Sequence, residues 1–439
     1  MTDISPAVPA SDARASTDTV ETGPALLRPL RSRDFRLLFA GETVSVLGDQ
    51  FHFVALAWLA LQLTGSGLAL GTVLMTAAIP RAVFMLVGGA FSDRFSPRSL
   101  MLVSNAIRAV VVAILAALVL SGTAELWHLY VLAGTFGVVD AFFYPALSTI
   151  VPMLVPNRQL APANALVQGA QQIMGLVGPA LAGLMIALVD TGPAFVIDAA
   201  SFGVAAVALL LIAGGRRHAD AAVAGDRPSM LSAIGGGVRA AWSDPAVRSI
   251  VLLTAAFNFA FTGPISVGLA FLADHRFDGG SAAFGLLFSA FGGGAVLGAI
   301  AAGSLPRVPR LGSILMVIAF ALGIGLALIG LAPTLPVALA IIGVMGVLIG
   351  FINVQAIAWL QSRTAEAVRG RVMSLVTLGS VGLAPVSLAI AGALIDLGAV
   401  TLVFVAGGAI VIVAAIAGVA WGVPTLMVWP EDDPEQLEV

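Results

Sequence analysis

Residues 311–362, LGSILMVIAFALGIGLALIGLAPTLPVALAIIGVMGVLIGFINVQAIAWLQS, contain no Asp, Glu, Lys or Arg. As one helix rising about 1.5 Å per residue they would span about 78 Å, against a bilayer hydrocarbon core of about 30 Å. The stretch must cross twice, turning at Pro333-Thr334-Leu335-Pro336. Three further runs, Ser249–Ala273, Gly279–Pro306 and Val372–Ile395, are also free of charge. Each exceeds the roughly 20 residues that cross a membrane. The whole chain agrees: 439 residues, 59% hydrophobic, 10% charged, with a mean hydropathy of +1.03. That is more apolar side chain than a soluble core of this size can bury.

Gly, Pro and charge used as punctuation divide the chain into twelve predicted helices. They fall near 34–62, 67–91, 99–120, 126–155, 163–188 and 193–213, then 247–273, 281–304, 312–331, 335–361, 370–396 and 399–423. The expected class is an all-α polytopic membrane protein of two pseudo-symmetric six-helix bundles. Residues 29–213 form the first bundle and 247–425 the second. A polar cytoplasmic linker, 214–246, joins them and carries Arg216, Arg217, His218, Asp220, Asp226, Arg227 and Asp244. Residues 1–28 read as a disordered cytosolic tail, without the basic start and apolar middle of a cleaved signal. Residues 426–439 read as an acidic cytosolic tail.

Arginine placement predicts the orientation. Arg28, Arg31, Arg33 and Arg36, then Arg94 and Arg98, Arg158, the linker, Arg307 and Arg310, and Arg363, Arg369 and Arg371 share one side; the opposite loops hold only Arg276. By the positive-inside rule the arginine-rich side, with both termini, is cytoplasmic. The halves also echo one another. Asn164-Ala-Leu-Val sits like Met373-Ser-Leu-Val, and Gly178-Pro179 followed by Asp190 sits like Ala384-Pro385 followed by Asp396. Repeated six-helix halves imply a transporter whose site lies between them near the midplane.

Cysteine is absent and the four histidines are scattered, so no metal site and no cofactor is expected. Lysine is absent too, which excludes a phosphate-binding Gly-x-x-x-x-Gly-Lys-Ser/Thr loop and with it ATP-driven transport by this chain. No nucleic-acid partner is indicated. An intramembrane enzyme would need a convergent nucleophile, base or metal cluster at one depth, and Asp49, His52, Asp140 and the serines supply none. Lipid handling remains a reading from a different class.

The stretch GGAFSDRFSPRS, Gly88 to Ser99, breaks two apolar runs with three charges. Gly88 and Gly89 allow close helix approach. Asp93 can face the positive N-terminus of a neighbouring helix, and Arg94 and Arg98 can satisfy carbonyls or carboxylates nearby. Such a cluster can latch one face shut.

The segment Gly89-Ala-Phe-Ser-Asp93-Arg94-Phe-Ser-Pro-Arg98 resembles the signature loop of the major facilitator superfamily, and Gly303-Ser-Leu-Pro-Arg307-Val-Pro-Arg310 resembles a decayed second copy. Ser45-Val-Leu-Gly48-Asp49, Leu63-Thr-Gly-Ser66, Pro145-Ala146, Leu160-Ala-Pro-Ala-Asn164-Ala-Leu, Gly178-Pro179 and Gly370-Arg371-Val-Met-Ser374 resemble the branch of enterobactin exporters and macrolide-type drug efflux proteins. The resemblance covers roughly residues 30–425. It implies proton-driven export of drugs or metabolites across a bacterial cytoplasmic membrane, siderophores being the alternative cargo. It also implies that Asp93 faces Arg369-Gly370-Arg371 at the start of helix eleven. The chain departs from the pattern at Met153, where the family carries an acid, and in Leu129–Gly137, which lacks the arginine of many proton-coupled exporters.

Ionisable groups in the hydrocarbon region cost about 2.5–3.5 kcal/mol on insertion scales, so each needs a reason. Glu42 and Arg81 lie at similar depth and could pair, as a proton-linked gate or a static bridge. Asp49, seven residues past Glu42, and His52 share its face. A carboxyl that takes up a proton and loses it to arriving substrate meets the requirement of antiport. Asp140, with Tyr144 a turn later, points to the cavity or to Arg108. Asp198 is expected to be hydrated. Gln168 and Gln172, Asn258, Asn353 and Gln355 are cavity candidates or helix-helix glue. Phe257 and Phe261, with Trp58, Phe142, Phe143, Phe259 and Trp359, are candidates for a greasy pocket suited to an amphiphilic small molecule. The expected partners are that molecule, protons and the lipid bilayer, with the chain acting as a monomer.

Overall fold

The structure is a computed structural model that describes residues 25–92, 95–213, 242, 244–305, 308–364, 372–373, 376–377 and 379–427, with side chains at all of these except 25, 85–92 and 144. After a 3-10 turn at Ala25–Arg31 come α1 Arg33–Thr64, α2 Gly67–Ser92, α3 Pro97–Leu120, α4 Leu126–Leu154, α5 Leu160–Leu188 and α6 Thr191–Leu211. The second half holds α7 Pro245–His275, α8 Gly280–Ser304, α9 Leu311–Leu331, α10 Leu335–Arg363, α11 Gly379–Asp396 and α12 Val400–Ala420. All twelve are apolar and long enough to cross a bilayer. Large side chains such as Leu210, Val317, Leu331 and Val413 stand exposed on their outer faces, as lipid contact requires.

Local chemistry sets the ends. The Ser32 hydroxyl accepts a hydrogen bond from the Phe35 amide at 3.3 Å and opens α1. Asp244 accepts from Ala246 N at 2.8 Å and opens α7. These are N-caps supplied by short polar side chains. The charge-free stretch 311–362 turns between α9 and α10, with Ala332–Thr334 outside both helices. The α7 ladder is irregular: over Pro264–Gly268 it shifts to a π turn, and the Gly263 amide donates instead to Ser387 Oγ of α11 at 2.8 Å.

Helices α1–α6 pack on one another chiefly as α1–α6, α2–α4, α3–α6 and α1–α5; α7–α12 repeat the scheme as α7–α12, α8–α10, α9–α12 and α7–α11. The bundles meet along α2–α11 and α5–α8. Small residues make those seams tight, as is usual between membrane helices. Gly71 is closed over by the Leu388 backbone, so any side chain there would drive α2 from α11. Gly178 and Pro179 are buried in α5, Gly178 against Gln50 of α1 and the Pro179 carbonyl against Gly285 of α8.

An even number of crossings puts both chain ends on one face, here the terminal face; the other is the far face. The hydrogen bonds that join the bundles between described residues lie in the half nearer the far face. Asp396, at the end of α11, accepts from Ser66 Oγ and Gly67 N, both at 2.6 Å, and from Leu68 N at 3.3 Å. One bundle thus caps the opening helix turn of the other. Ser281 Oγ donates to Gly183 O at 3.0 Å, and Ala180 N donates to Ser289 Oγ at 2.9 Å. The repeat-related Asp190 does something else: it accepts from Thr191 N at 2.6 Å and caps α6 of its own bundle.

Candidate functional site

The first bundle holds a polar cluster built from five helices, α1, α2, α3, α4 and α6. On α1, Glu42, Ser45, Asp49 and His52 follow one another at helical spacings of three, four and three, and so share a face. Glu42 and Ser45 are buried, and Asp49 and His52 are half-buried. Gly48 lets this face approach α6, since a Cβ there would collide with Ser201 and Asp198. His52 Nδ1 lies 3.0 Å from Asp198 Oδ2, and Asp198 is fully buried. The imidazole stacks on Phe136 at 4.6 Å and meets the edge of Phe195 at 5.7 Å.

Asp140 of α4 is the second node. Its Oδ1 lies 3.2 Å from Arg108 Nη1 of α3, and its Oδ2 lies 3.1 Å from Arg81 Nε of α2. Arg108 is 1% exposed, donates to Asn105 Oδ1 at 3.0 Å, and lies over Phe143 at 4.1 Å and Phe202 at 4.7 Å. Cation–π contact helps to offset its lost hydration. Arg81 keeps 47% of its side chain exposed at membrane depth.

Two expectations are corrected here. Arg81 does not pair with Glu42; the carboxylate it meets is Asp140, because α2 packs on α4 rather than along α1 at that depth. Asp198 is not hydrated; α1 and α6 close over it and His52 faces it. Glu42 and Asp49 make no hydrogen bond to another described residue, yet Asp49 lies within electrostatic reach of Arg108, Asp198, Asp140 and Glu42. Four carboxyl groups therefore face two guanidiniums and one imidazole.

The second bundle holds a cavity of about 610 Å³ that runs from Phe261 and Phe291, midway across, to Met427 at the terminal face. Phe257 and Phe261 stack at 5.0 Å, and Phe291 lies 5.9 Å from Phe261, forming an aromatic end wall. Asn258 and Asn353 line it as expected of cavity candidates. Gln355 does not: it is 5% exposed and donates to Ala302 O of α8 at 3.2 Å, on the opposite side of α10. The lining comes from α7–α12 together with Met373, Val376, Thr377 and Met427, not from both halves as the repeat argument implied. Sequence reasoning missed Leu315, Met316 and Ala319 of α9 and Ala415 of α12. Those helices are apolar all round, so no periodicity marks an inner face.

Gln168 and Gln172 are exposed, on the α5 face that continues the line of Gly175 and Pro179 against α8. Of the latch motif, Asp93, Arg94, Gly370 and Arg371 lie outside the described residues, as does the Tyr144 side chain; Gly89 lies within α2. Arg98 donates to the Leu209 and Leu210 carbonyls at 2.7 and 2.8 Å, capping the end of α6 where cations are favoured.

Twelve crossings in two like bundles, joined at one face, with buried charge in one and an apolar cavity in the other, are the architecture of a transporter. The chain belongs to the major facilitator superfamily: the model of its transmembrane secretion effector family matches residues 25–434. It is similar to the multidrug efflux pump Tap of Mycobacterium tuberculosis, at 28% identity over 377 residues covering 83% of this chain and 88% of that one. Macrolide efflux protein A of Streptococcus pyogenes is 23% identical over 348 residues, 78% and 84% of the two chains. Among solved structures, the nucleoside transporter NupG superposes with a TM-score of 0.70 at 13% identity, over 89% of this chain and 99% of that one. A bacterial homologue of the lysosomal transporter Spinster gives 0.70 at 15%, over 92% and 99%. These two share the fold.

Proposed function

We propose that the protein is a proton-coupled exporter of hydrophobic or amphiphilic small molecules, working by alternating access as a monomer in a bacterial cytoplasmic membrane. The observation that carries this reading is the acid-rich cluster around Asp49. Four carboxyls facing two arginines and one histidine leave a charge imbalance that protons can fill, and burial makes such an imbalance costly to leave open. Asp49 is the best-placed carrier, being half-buried, free of a fixed hydrogen bond and within reach of both nodes. Export as the direction rests on the efflux activity named for the two relatives.

The terminal face carries the arginine excess and is assigned to the cytoplasm. The far-face seal then closes the outside, and Arg81, Gln168 and Gln172 stand exposed. Reopening needs the Asp396 cap and the α5–α8 contacts to part.

Asp49→Asn is expected to raise accumulation of fluorescent or antibiotic amphiphiles in efflux-deficient cells to the vector level, at equal expression, and a protonophore to do the same to wild type. Normal extrusion by the Asp49→Asn protein would remove Asp49 from the coupling path. If no amphiphile distinguishes wild type from vector, drug export gives way to export of a siderophore or other endogenous product.

A further inference from the structure

We propose that the cavity of the second bundle is a binding site for an uncharged amphiphile of drug size, rich in hydrogen-bond donors along one edge, and that this bundle alone binds it. The inference deepens the export reading and rests on it for its physiological meaning. Its physical basis is separate.

The volume, about 610 Å³, falls within the range that buries a drug-sized molecule. No described lining residue is titratable. Along α7–α12 the described ionisable groups sit at helix ends, as Arg248, Asp274, His275, Arg276, Arg363 and Asp396 do. A cation moved into this cavity would lose its hydration and meet no counter-charge among the described lining residues. An uncharged body loses little and gains apolar contact with Phe257, Phe261, Leu315 and Ile352.

The polar groups on the wall have a direction. Thr377 Oγ1 donates to Met373 O at 3.0 Å, and Ser380 Oγ donates to Val376 O, also at 3.0 Å. Their hydrogens are committed to the helix, so toward a ligand they present lone pairs. Asn258 spends one amide hydrogen on Thr254 O at 2.9 Å and keeps its carbonyl oxygen and a second N–H. Asn353, exposed on α10, supplies both kinds of group. The acceptor oxygens of Thr254, Asn258, Asn353, Thr377 and Ser380 outnumber the donor groups left on Thr254, Asn258 and Asn353, so a ligand rich in hydroxyl or amide N–H groups satisfies more of this wall than a purely accepting one.

Among the described residues, the buried carboxyl groups lie in the other bundle. Affinity for the uncharged ligand should therefore survive the loss of Asp49, even where transport does not. Linkage between the two runs through the α2–α11 and α5–α8 seams rather than through direct contact.

The test is binding to the full chain in nanodiscs of phosphatidylethanolamine and phosphatidylglycerol. The probes are uncharged donors (chloramphenicol, corticosterone and a hydroxycoumarin) and permanent cations (tetraphenylphosphonium and ethidium). Expected are saturable binding of an uncharged probe, no saturable binding of either cation, and unchanged affinity in Asp49→Asn. Asn353→Asp, at an exposed site that folding tolerates, should raise cation affinity by about tenfold or more through a new charge-assisted contact. Ala319→Trp should abolish binding by filling the space.

Cation binding by wild type as tight as that of the uncharged probes would overturn the proposal. So would intact binding in Ala319→Trp protein that elutes as wild type, or failure of every uncharged probe to bind. Cellular accumulation separates this from the export reading. Proton-driven extrusion of cations unaffected by Ala319→Trp sinks the cavity and spares export. Binding as expected, with accumulation indifferent to protonophore and to Asp49→Asn, spares the cavity and sinks proton-coupled export.

Discussion

Asp140→Ala is expected to lower folding stability by about 3–5 kcal/mol, the penalty for stranding a buried charge without its partner. The loss falls on Arg108, which is 1% exposed, fixed by Asn105 and enclosed by phenylalanine rings. Arg81 is affected less, because its side chain is half-exposed. Detergent-solubilised protein heated in steps and passed over a size-exclusion column reads the effect as a drop in the temperature at which the monodisperse peak is lost. The double variant Arg108→Leu with Asp140→Ala should recover most of it, since removing both charges leaves an apolar gap instead of an unpaired ion. A single variant with the wild-type midpoint would show that the pair contributes nothing to the fold.

Asp396→Ala is expected to shift the far face toward its open form by about 2 kcal/mol, roughly thirtyfold in the closed-to-open ratio. Three donors of the other bundle converge on that carboxylate, two of them backbone amides at the start of α2. Hydrogen bonds to a charged acceptor contribute about 1.5–3 kcal/mol each when buried, and the figure is discounted because Asp396 is exposed. The absence of cysteine makes the measurement clean. Spin labels on cysteines introduced at Leu63 and Leu397 report the far-face separation by double electron–electron resonance. Asp190→Ala is the internal control: its carboxylate caps α6 within one bundle, so the distance distribution should not change. Identical distributions for Asp396→Ala and wild type would rule out the seal.

The membrane architecture was legible because it depends on one-dimensional quantities. A charge-free stretch too long for one crossing, with a proline turn in its middle, needs no partner to be read. The α2–α11 and α5–α8 seams were half legible, since Gly178-Pro179 and Asp396 stand out as repeat-related points, but Asp190 and Asp396 then bond differently. Pairing was the weak level. Depth along a helix follows from residue count, whereas azimuth depends on which neighbour packs there, so Arg81 could be placed beside Glu42 in depth and still belong to Asp140. Asp198 was misread for the same reason: its distance from the helix end suggested water, and only the packing of α6 on α1 removes it. The cavity was legible from α7 and α10, whose asparagines and phenylalanines carry a polar-aromatic signal. It was illegible from α9 and α12, where every face is aliphatic.

The π turn of α7 gives one backbone two phases. A π turn holds a residue more than an α turn, so the side chains beyond Gly268 are rotated relative to those before Pro264. The first segment carries Phe257 and Phe261 into the cavity, while the turn itself touches α2 beside the far-face seal. Ser387 of α11 takes the Gly263 amide, so the joint is held from outside its own helix. The cavity wall and the far-face seal therefore lie on two arms of a single helix whose joint is fastened to α11.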